Sequence, residues 1–161
     1  MARKFEKISQ KQFIKDTNLT IEDYKNYNIP KRSTAYSAGY DFTTLEAFTV
    51  NPNETKLIPT GIKADMNKDE VLLLFIRSSL GFKYNIRMCN QTGVIDKDYY
   101  NNEDNEGHIF VKIKNEGEKA KEFKQGEKFV QGVFLKYLTT DNEEEILKIR
   151  KGGIGSTNDK H

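Results

Sequence analysis

Cysteine is almost missing from this chain: Cys89 stands alone. One thiol can neither close an internal disulfide nor build a thiolate zinc site, and a reducing, cytoplasmic setting is the expectation. Histidine is nearly as scarce, with only His108 and His161. No protease-like signature surrounds Cys89, so it reads as a small buried side chain rather than a nucleophile. No apolar run approaches membrane-spanning length, and the first residues carry no signal-peptide core. An excess of one charge is lacking too: 26 Lys and Arg face 24 Asp and Glu, a formal net charge of +2. The basic residues are spread out, without the basic stripe and interleaved aromatics of a nucleic-acid-binding module. Internal repeats, low-complexity blocks and dedicated clusters of metal ligands are likewise absent.

What is present fits one domain. The chain has 161 residues, but 31% are charged and 36% hydrophobic, so its core is modest and association between chains would help it. Three parts are expected. Residues 1–28 read as a helical extension: Phe5, Ile8, Phe13 and Ile14 have weak helical spacing, and Thr20 precedes an acidic first turn as an N-cap would. Residues 29–148 read as an all-β domain of short apolar stretches broken by turns. Within it, 40–50 and 55–62 are strand regions around the turn Asn51-Pro52-Asn53. Val71-Leu72-Leu73-Leu74-Phe75-Ile76 is a strand expected to be buried on both faces. Ile109, Val111 and Ile113 alternate onto one face of another strand, and 128–138 forms a further long one. Residues 101–107 are polar and acidic and read as an exposed loop. Residues 149–161 read as a flexible tail.

Five segments at strand ends or turns carry the polar chemistry. In Ala38-Gly39-Tyr40-Asp41-Phe42 the carboxylate either fixes a turn or orients metal-bound water. Arg77-Ser78-Ser79-Leu80-Gly81 offers a guanidinium, two hydroxyls and backbone N–H groups, which suit a polyphosphate as well as an exposed turn. Asn90-Gln91-Thr92-Gly93-Val94-Ile95-Asp96 forms a hairpin-like turn, with Tyr99 three residues on. It brings together an amide that can pair with a base edge, a carboxylate that can take a proton from water, and a ring that can stack on a sugar. Gln131, in Gly126-Glu127-Lys128-Phe129-Val130-Gln131, is a polar residue among apolar neighbours and needs partners. Arg150-Lys151-Gly152-Gly153-Ile154-Gly155-Ser156-Thr157 can wrap phosphate through backbone N–H groups, although it lacks the spacing of a Walker loop.

In order and spacing these segments resemble the five motifs of the trimeric dUTPase family, over a stretch from about Ile29 to Thr157. Gly93-Val94-Ile95-Asp96 followed by Tyr99 is the most specific of them, and the overall pattern is similar to that of phage and prophage members. The resemblance implies a jelly-roll-like β domain that assembles as a homotrimer, with sites at subunit junctions. It also implies hydrolysis of dUTP to dUMP and pyrophosphate by water attacking the α-phosphorus, with Mg²⁺ held mainly by the triphosphate and by water, and Asp41 as an outer partner. Asp96 corresponds to the residue that activates the water, and Gln131 to the glutamine near the phosphates. Asn90, with the backbone of Gly93, Val94 and Ile95, reads uracil, and Tyr99 selects deoxyribose. Arg77, Ser78, Ser79 and Gly81 form the phosphate motif, with Ser78 at the α–β bridge. Ser156 and Thr157 close over the γ-phosphate.

Some positions depart from the family pattern. Ile76 stands in place of Pro, Ile154 in place of the Phe that covers uracil, and Asn158 in place of Gly, while 101–107 looks like an insertion. Arg150 and Lys151 both compete for the γ-phosphate, and the fork of Arg150 favours it. Two rivals stand beside this reading. One is a dCTP deaminase or bifunctional relative on the same fold, which needs a Glu beside the base. The other is a regulatory protein that binds a repressor.

Overall fold

The computed structural model describes residues 3–157, so Asn158 and His161 lie outside the described residues. In chain order the elements are β1 (Lys4–Lys7), α1 (Gln10–Asp16), α2 (Ile21–Asn26), β2 (Tyr40–Thr43), β3 (Phe48–Val50), β4 (Thr55–Pro59), β5 (Ile62–Asp65), β6 (Glu70–Ile76), α3 (Ser78–Tyr84), β7 (Ile86–Met88), β8 (Gly93–Ile95), β9 (Phe110–Asn115), β10 (Lys121–Phe123) and β11 (Lys128–Lys136). A four-stranded sheet runs β2-β11-β6-β8 and a three-stranded sheet β4-β9-β7, with two-stranded pairs β1-β5 and β3-β10. Every strand pairing is antiparallel. One core joins the two larger sheets, with Phe42, Leu72, Leu74 and Val130 meeting Ile58, Ile86, Val111 and Ile113. The fold is all-β and jelly-roll-like.

The apolar run 71–76 forms the spine of the larger sheet, but it is buried on one face only. Leu72 and Leu74 are buried, while Val71, Leu73 and Phe75 on the alternate positions are half-buried. Successive side chains of a strand point to opposite faces, and only one face of β6 has a second sheet against it. Two of the expected strand regions divide. Residues 40–50 give β2 and β3 in different sheets, and 55–62 breaks after Pro59 before β5 begins at Ile62.

The first 28 residues are not simply helical. Lys4–Lys7 is a strand, pairing Phe5 with Ala64 of β5. Ser9 caps α1, and Thr20 and Asp23 close a reciprocal capping box on α2. Ile8 and Phe13 are fully buried with Leu45, and Tyr27 stacks on Phe13 at 5.4 Å between centroids. Full burial of such side chains contributes roughly 1.5–3 kcal/mol each, so the extension is integral to the domain.

The loop 101–107 is also more deeply built in than its composition suggests. Asn102 is buried: its amide donates to the Tyr99 carbonyl and to Asn105 Oδ1, both at 2.8 Å, and its Oδ1 accepts the Asp104 and Asn105 N–H groups. Glu106 accepts the Ser9 N–H at 2.9 Å and the Ser9 hydroxyl, tying the loop to the cap of α1. Asparagine side chains that mimic backbone turns let a polar segment be ordered without an apolar core.

His108 follows the loop and is fully buried. Its Nε2 accepts the Gly61 N–H at 2.9 Å, which leaves the proton on Nδ1 to be donated to Asp16 at 2.7 Å. Burial lowers its pKa from 6.5, against the opposing pull of Asp16 and Glu106. The unfolded chain therefore binds this proton more readily than the folded one. The resulting stability is complete above pH 6.5 and is lost as pH falls from there toward the lowered folded value. We expect the melting temperature of the parent protein to fall faster between pH 7 and 5 than that of His108→Gln, which keeps an acceptor for Gly61 but cannot titrate. Parallel slopes in a thermal-shift series would remove His108 as the source.

Candidate active site

The hairpin-like turn between β7 and β8 is tight, but the two strands lie in different sheets and do not pair with each other. Gln91 has a positive φ of 62°, its N–H donates to the Met88 carbonyl at 3.0 Å, and the Thr92 N–H donates to the Asn90 carbonyl at 2.6 Å. This exposes Asn90 at the tip. Gly93 packs so closely on the central sheet that an added Cβ would lie 3.0 Å from Leu74 Cβ. Pairing of β8 with β6 (Leu74 to Gly93, Leu72 to Ile95) then carries the chain to Asp96, whose side chain is half exposed. The next residue, Lys97, pairs with Asp65 and pins the segment. A turn of 3-10 helix (Lys97–Tyr99) swings Tyr99 inward. The Tyr99 hydroxyl donates to the His108 carbonyl at 2.6 Å and accepts from Asn105 at 2.9 Å. Burial pushes this phenol's pKa up, so it stays neutral.

The tail meets this hairpin. Arg150 Nη2 donates to Asp96 Oδ2 at 3.1 Å, its guanidinium lies 5.6 Å from the Tyr99 ring centre, and its backbone N–H donates to Asp98 Oδ2 at 2.9 Å. Its Nε is buried and makes no hydrogen bond, with Asp98 Oδ1 3.5 Å away. Lys151 is exposed, and its carbonyl accepts the Glu103 N–H. A cavity of about 230 Å³ lies between the two segments. Asn90, Asp96 and Tyr99 line it from the hairpin, Arg150, Ile154 and Thr157 from the tail, and Leu74, Met88 and Phe110 complete its walls. Gly93, Val94 and Ile95 also border it. Ile154 is largely exposed at the rim, and Ser156 is exposed with its N–H bonded to the Gly153 carbonyl.

The remaining candidates gather elsewhere on the chain. Asp41, on β2, sits opposite Gln131 of β11, which in turn sits opposite Phe75 of β6. Arg77 follows β6 and places Nε 3.3 Å from Asp41 Oδ1, while Asp41 Oδ2 accepts from Ser33 at 2.5 Å and lies 3.2 Å from Lys128 Nζ. Burial raises the Asp41 pKa, but Ser33, Lys128 and Arg77 outweigh it and hold the carboxyl below its usual range. Ser78 and Ser79 are exposed in the first turn of α3, which has no side-chain cap, and Gly81 follows in the same helix. Gln131 lies against Gly39, where a Cβ would come within 2.3 Å of its Oε1. None of Asp41, Arg77, Ser78, Ser79, Gly81 or Gln131 lines the hairpin cavity.

Five contributors were not singled out from the sequence. Leu74, Met88 and Phe110 sit in alternating strand patterns that announce a core, not a cavity wall. Asp98 and Asp104 hold the tail, and only the closeness of Asp98 to Asp96 in sequence hinted at this. Among the described residues no group of three or more His, Cys, Asp or Glu side chains could hold a metal, and no helix is long and apolar enough to cross a membrane.

The family model for dUTPase matches residues 25–158. A deoxyuridine 5'-triphosphate nucleotidohydrolase of Lactococcus lactis subsp. lactis is 49% identical over 140 residues, covering 85% of this chain and 93% of its own. One from Chromobacterium violaceum is 32% identical over 137 residues, covering 81% and 87%. The crystal structure of a Streptococcus mutans dUTPase superposes with a TM-score of 0.69 at 43% identity, over 86% of this chain and 98% of that one. A Staphylococcus bacteriophage 80alpha dUTPase shares the fold at 19% identity, with a TM-score of 0.65 over 92% and 97% of the two chains. With most of its length matched in both sequence and fold, the chain belongs to the dUTPase family.

Proposed function

We propose that this protein hydrolyses dUTP to dUMP and pyrophosphate, in the cytoplasm, and so limits uracil incorporation into DNA. The observation that carries the reading is the cavity in which Asn90, Asp96 and Tyr99 face Arg150 and Thr157. Uracil enters the hairpin, where Asn90 and the backbone of 93–95 supply the donors and acceptors that match its edge. A base with a different pattern leaves those groups unpaired, which discriminates more strongly than size alone. The deoxyribose lies against the Tyr99 ring, and Ile154 covers the rim. Within one chain the cavity is lined by Asp96 and by no Glu, so it does not favour the deaminase reading.

Water attacks the α-phosphorus with Asp96 taking its proton, and the bond to the β-phosphate oxygen breaks as pyrophosphate leaves. Asp96 is open enough to water for this, and Arg150 is its partner in the structure. A triphosphate competes for the same guanidinium and frees the carboxylate. The position of its guanidinium in the cavity wall favours Arg150 over the exposed Lys151 as the cation for the γ-phosphate. The hydroxyls of Ser78, Ser79, Ser156 and Thr157, with Arg77 and Gln131, hold the phosphates and the attacking water.

Asp41 is already engaged by Ser33, Arg77 and Lys128, so it does not fit as a metal partner within the chain. Mg²⁺, a hard cation that keeps its waters, would be held mainly by triphosphate oxygens and water and would supply neutralising charge there.

We place the complete site at the junction of subunits in a homotrimer. Two observations support this: the hairpin and tail group lies apart from the Asp41, Arg77 and Gln131 group, and large apolar side chains stand exposed at Tyr36, Phe82, Val94 and Leu138.

Purified protein with Mg²⁺ is expected to release pyrophosphate from dUTP and not from dCTP, dTTP or UTP, with Asp96→Asn slower by about 10²–10⁴-fold. Ammonia from dCTP would instead assign a deaminase, and dUTP binding without turnover a regulatory protein. Mixed oligomers of Asp96→Asn and Arg77→Ala chains should recover up to about a quarter of parental activity, since random pairing restores that share of junction sites. No recovery after verified subunit exchange would place each site within one chain. Gly39→Ala should displace Gln131 and cost up to about a hundredfold in kcat with little change in melting temperature. Unchanged turnover would remove Gln131 from the site.

A further inference from the structure

The acidic loop 101–107 does not line the cavity, yet it touches the tail segment that does. Asp104 Oδ2 accepts the Gly153 N–H at 2.8 Å, and the Glu103 N–H donates to the Lys151 carbonyl at 3.1 Å. Asp98 accepts the Arg150 N–H at 2.9 Å, so the tail is held at three successive points. The fit is close on the tail side: a Cβ on Gly152 would stand 2.7 Å from Asp104 Oδ2 and from Ser156 Cβ of the tail itself, and one on Gly153 would stand 3.2 Å from Asn105 Nδ2. The loop itself is fixed by Asn102, Asn105 and Tyr99, so Asp104 is presented from a rigid mount.

We propose that loop 101–107 is a latch for the C-terminal segment, with Asp104 as the positioning residue that sets Arg150 and Thr157 over the nucleotide. Asp104 is not catalytic. It acts by holding the Gly152-Gly153 backbone, which lowers the entropic cost of closing the tail when dUTP binds. A carboxylate accepting a backbone N–H makes a stronger bond than a neutral acceptor, so charge at position 104 matters as well as shape. The latch rests on the dUTP reading only for its catalytic consequence, because the Asp104 to Gly153 contact involves this chain alone.

Arg150 and Lys151 are both trypsin sites, and docking shields Arg150, which gives a readout independent of activity. Limited proteolysis of the intact oligomer without nucleotide, with scission at Arg150 and Lys151 followed by mass spectrometry, is compared for the parent, Asp104→Ala, Asp104→Asn, Gly152→Ala and Glu103→Ala. Scission in Asp104→Ala and Gly152→Ala should be about five- to tenfold faster, with Asp104→Asn between them and the parent and Glu103→Ala at the parental rate. The KM for dUTP should rise in the same order, with melting temperatures unchanged. Parental scission rates in both Asp104→Ala and Gly152→Ala overturn the latch, as does faster scission with an unaltered KM. Faster scission in a protein whose parent turns over no dUTP upholds the latch and removes the dUTP reading.

Discussion

Tyr99 is where separate parts of the chain are made to agree. Its phenol is buried, so both hydrogen-bonding capacities of the hydroxyl must be filled, and they are: it donates to the His108 carbonyl and accepts from Asn105. Filling them fixes the two ends of the loop 101–107 against each other. The fixed loop then reaches in two directions, through Glu106 to the cap of α1 and through Asp104 to the tail. The same ring faces the guanidinium of Arg150 and borders the cavity. A change that unseated this one phenol would therefore loosen the N-terminal extension, the tail and the nucleoside wall together, and could not be read as loss of a sugar contact alone.

The charges on either side of the proposed junction are unequal in opposite senses. Around the hairpin, Asp96 and Asp98 face the single guanidinium of Arg150. Around β2 and β11, Asp41 faces both Arg77 and Lys128. A nucleoside triphosphate is neutral at its base and strongly negative at its phosphates, so the second group suits its charged end and the first its neutral end. Arg150 is the exception that makes the polarity useful. It is held by Asp96, Asp98 and the Gly153 carbonyl, and a phosphate must replace those contacts with stronger charge-assisted ones to draw it away.

Periodic and punctuated features were legible in the sequence, and contacts set by distant partners were not. The alternation of Ile109, Val111 and Ile113 places all three in the core. The Thr20 cap needs only local backbone geometry, and a capping box forms there. Lys4–Lys7 failed because its structure comes from β5, some sixty residues away, which recruits it as a pairing strand against its weak helical spacing. The loop 101–107 is a loop with Asn101, Glu103 and Asp104 exposed, as read, but only the fold reveals that Asn102, Asp104, Asn105 and Glu106 satisfy backbone N–H groups, a hydroxyl or Tyr99. For the site, the motif residues carried their own signal. Leu74, Met88, Phe110, Asp98 and Asp104 did not, because a cavity wall and a latch use the same residue types as a core and a surface.

The outer face of β6 bears on assembly. Val71, Leu73 and Phe75 are only half covered within one chain, in the strand whose other face is the core. In the proposed trimer the hairpin group of one chain meets the Arg77 group of the next. A contact between two different patches is heterologous, and it propagates from chain to chain until rotation closes the ring. A twofold contact pairs each patch with its counterpart in both directions, so it could also set Asp96 of each chain against Arg77 of the other. The proposed ring of three chains closing head to tail would complete three sites with one repeated interface.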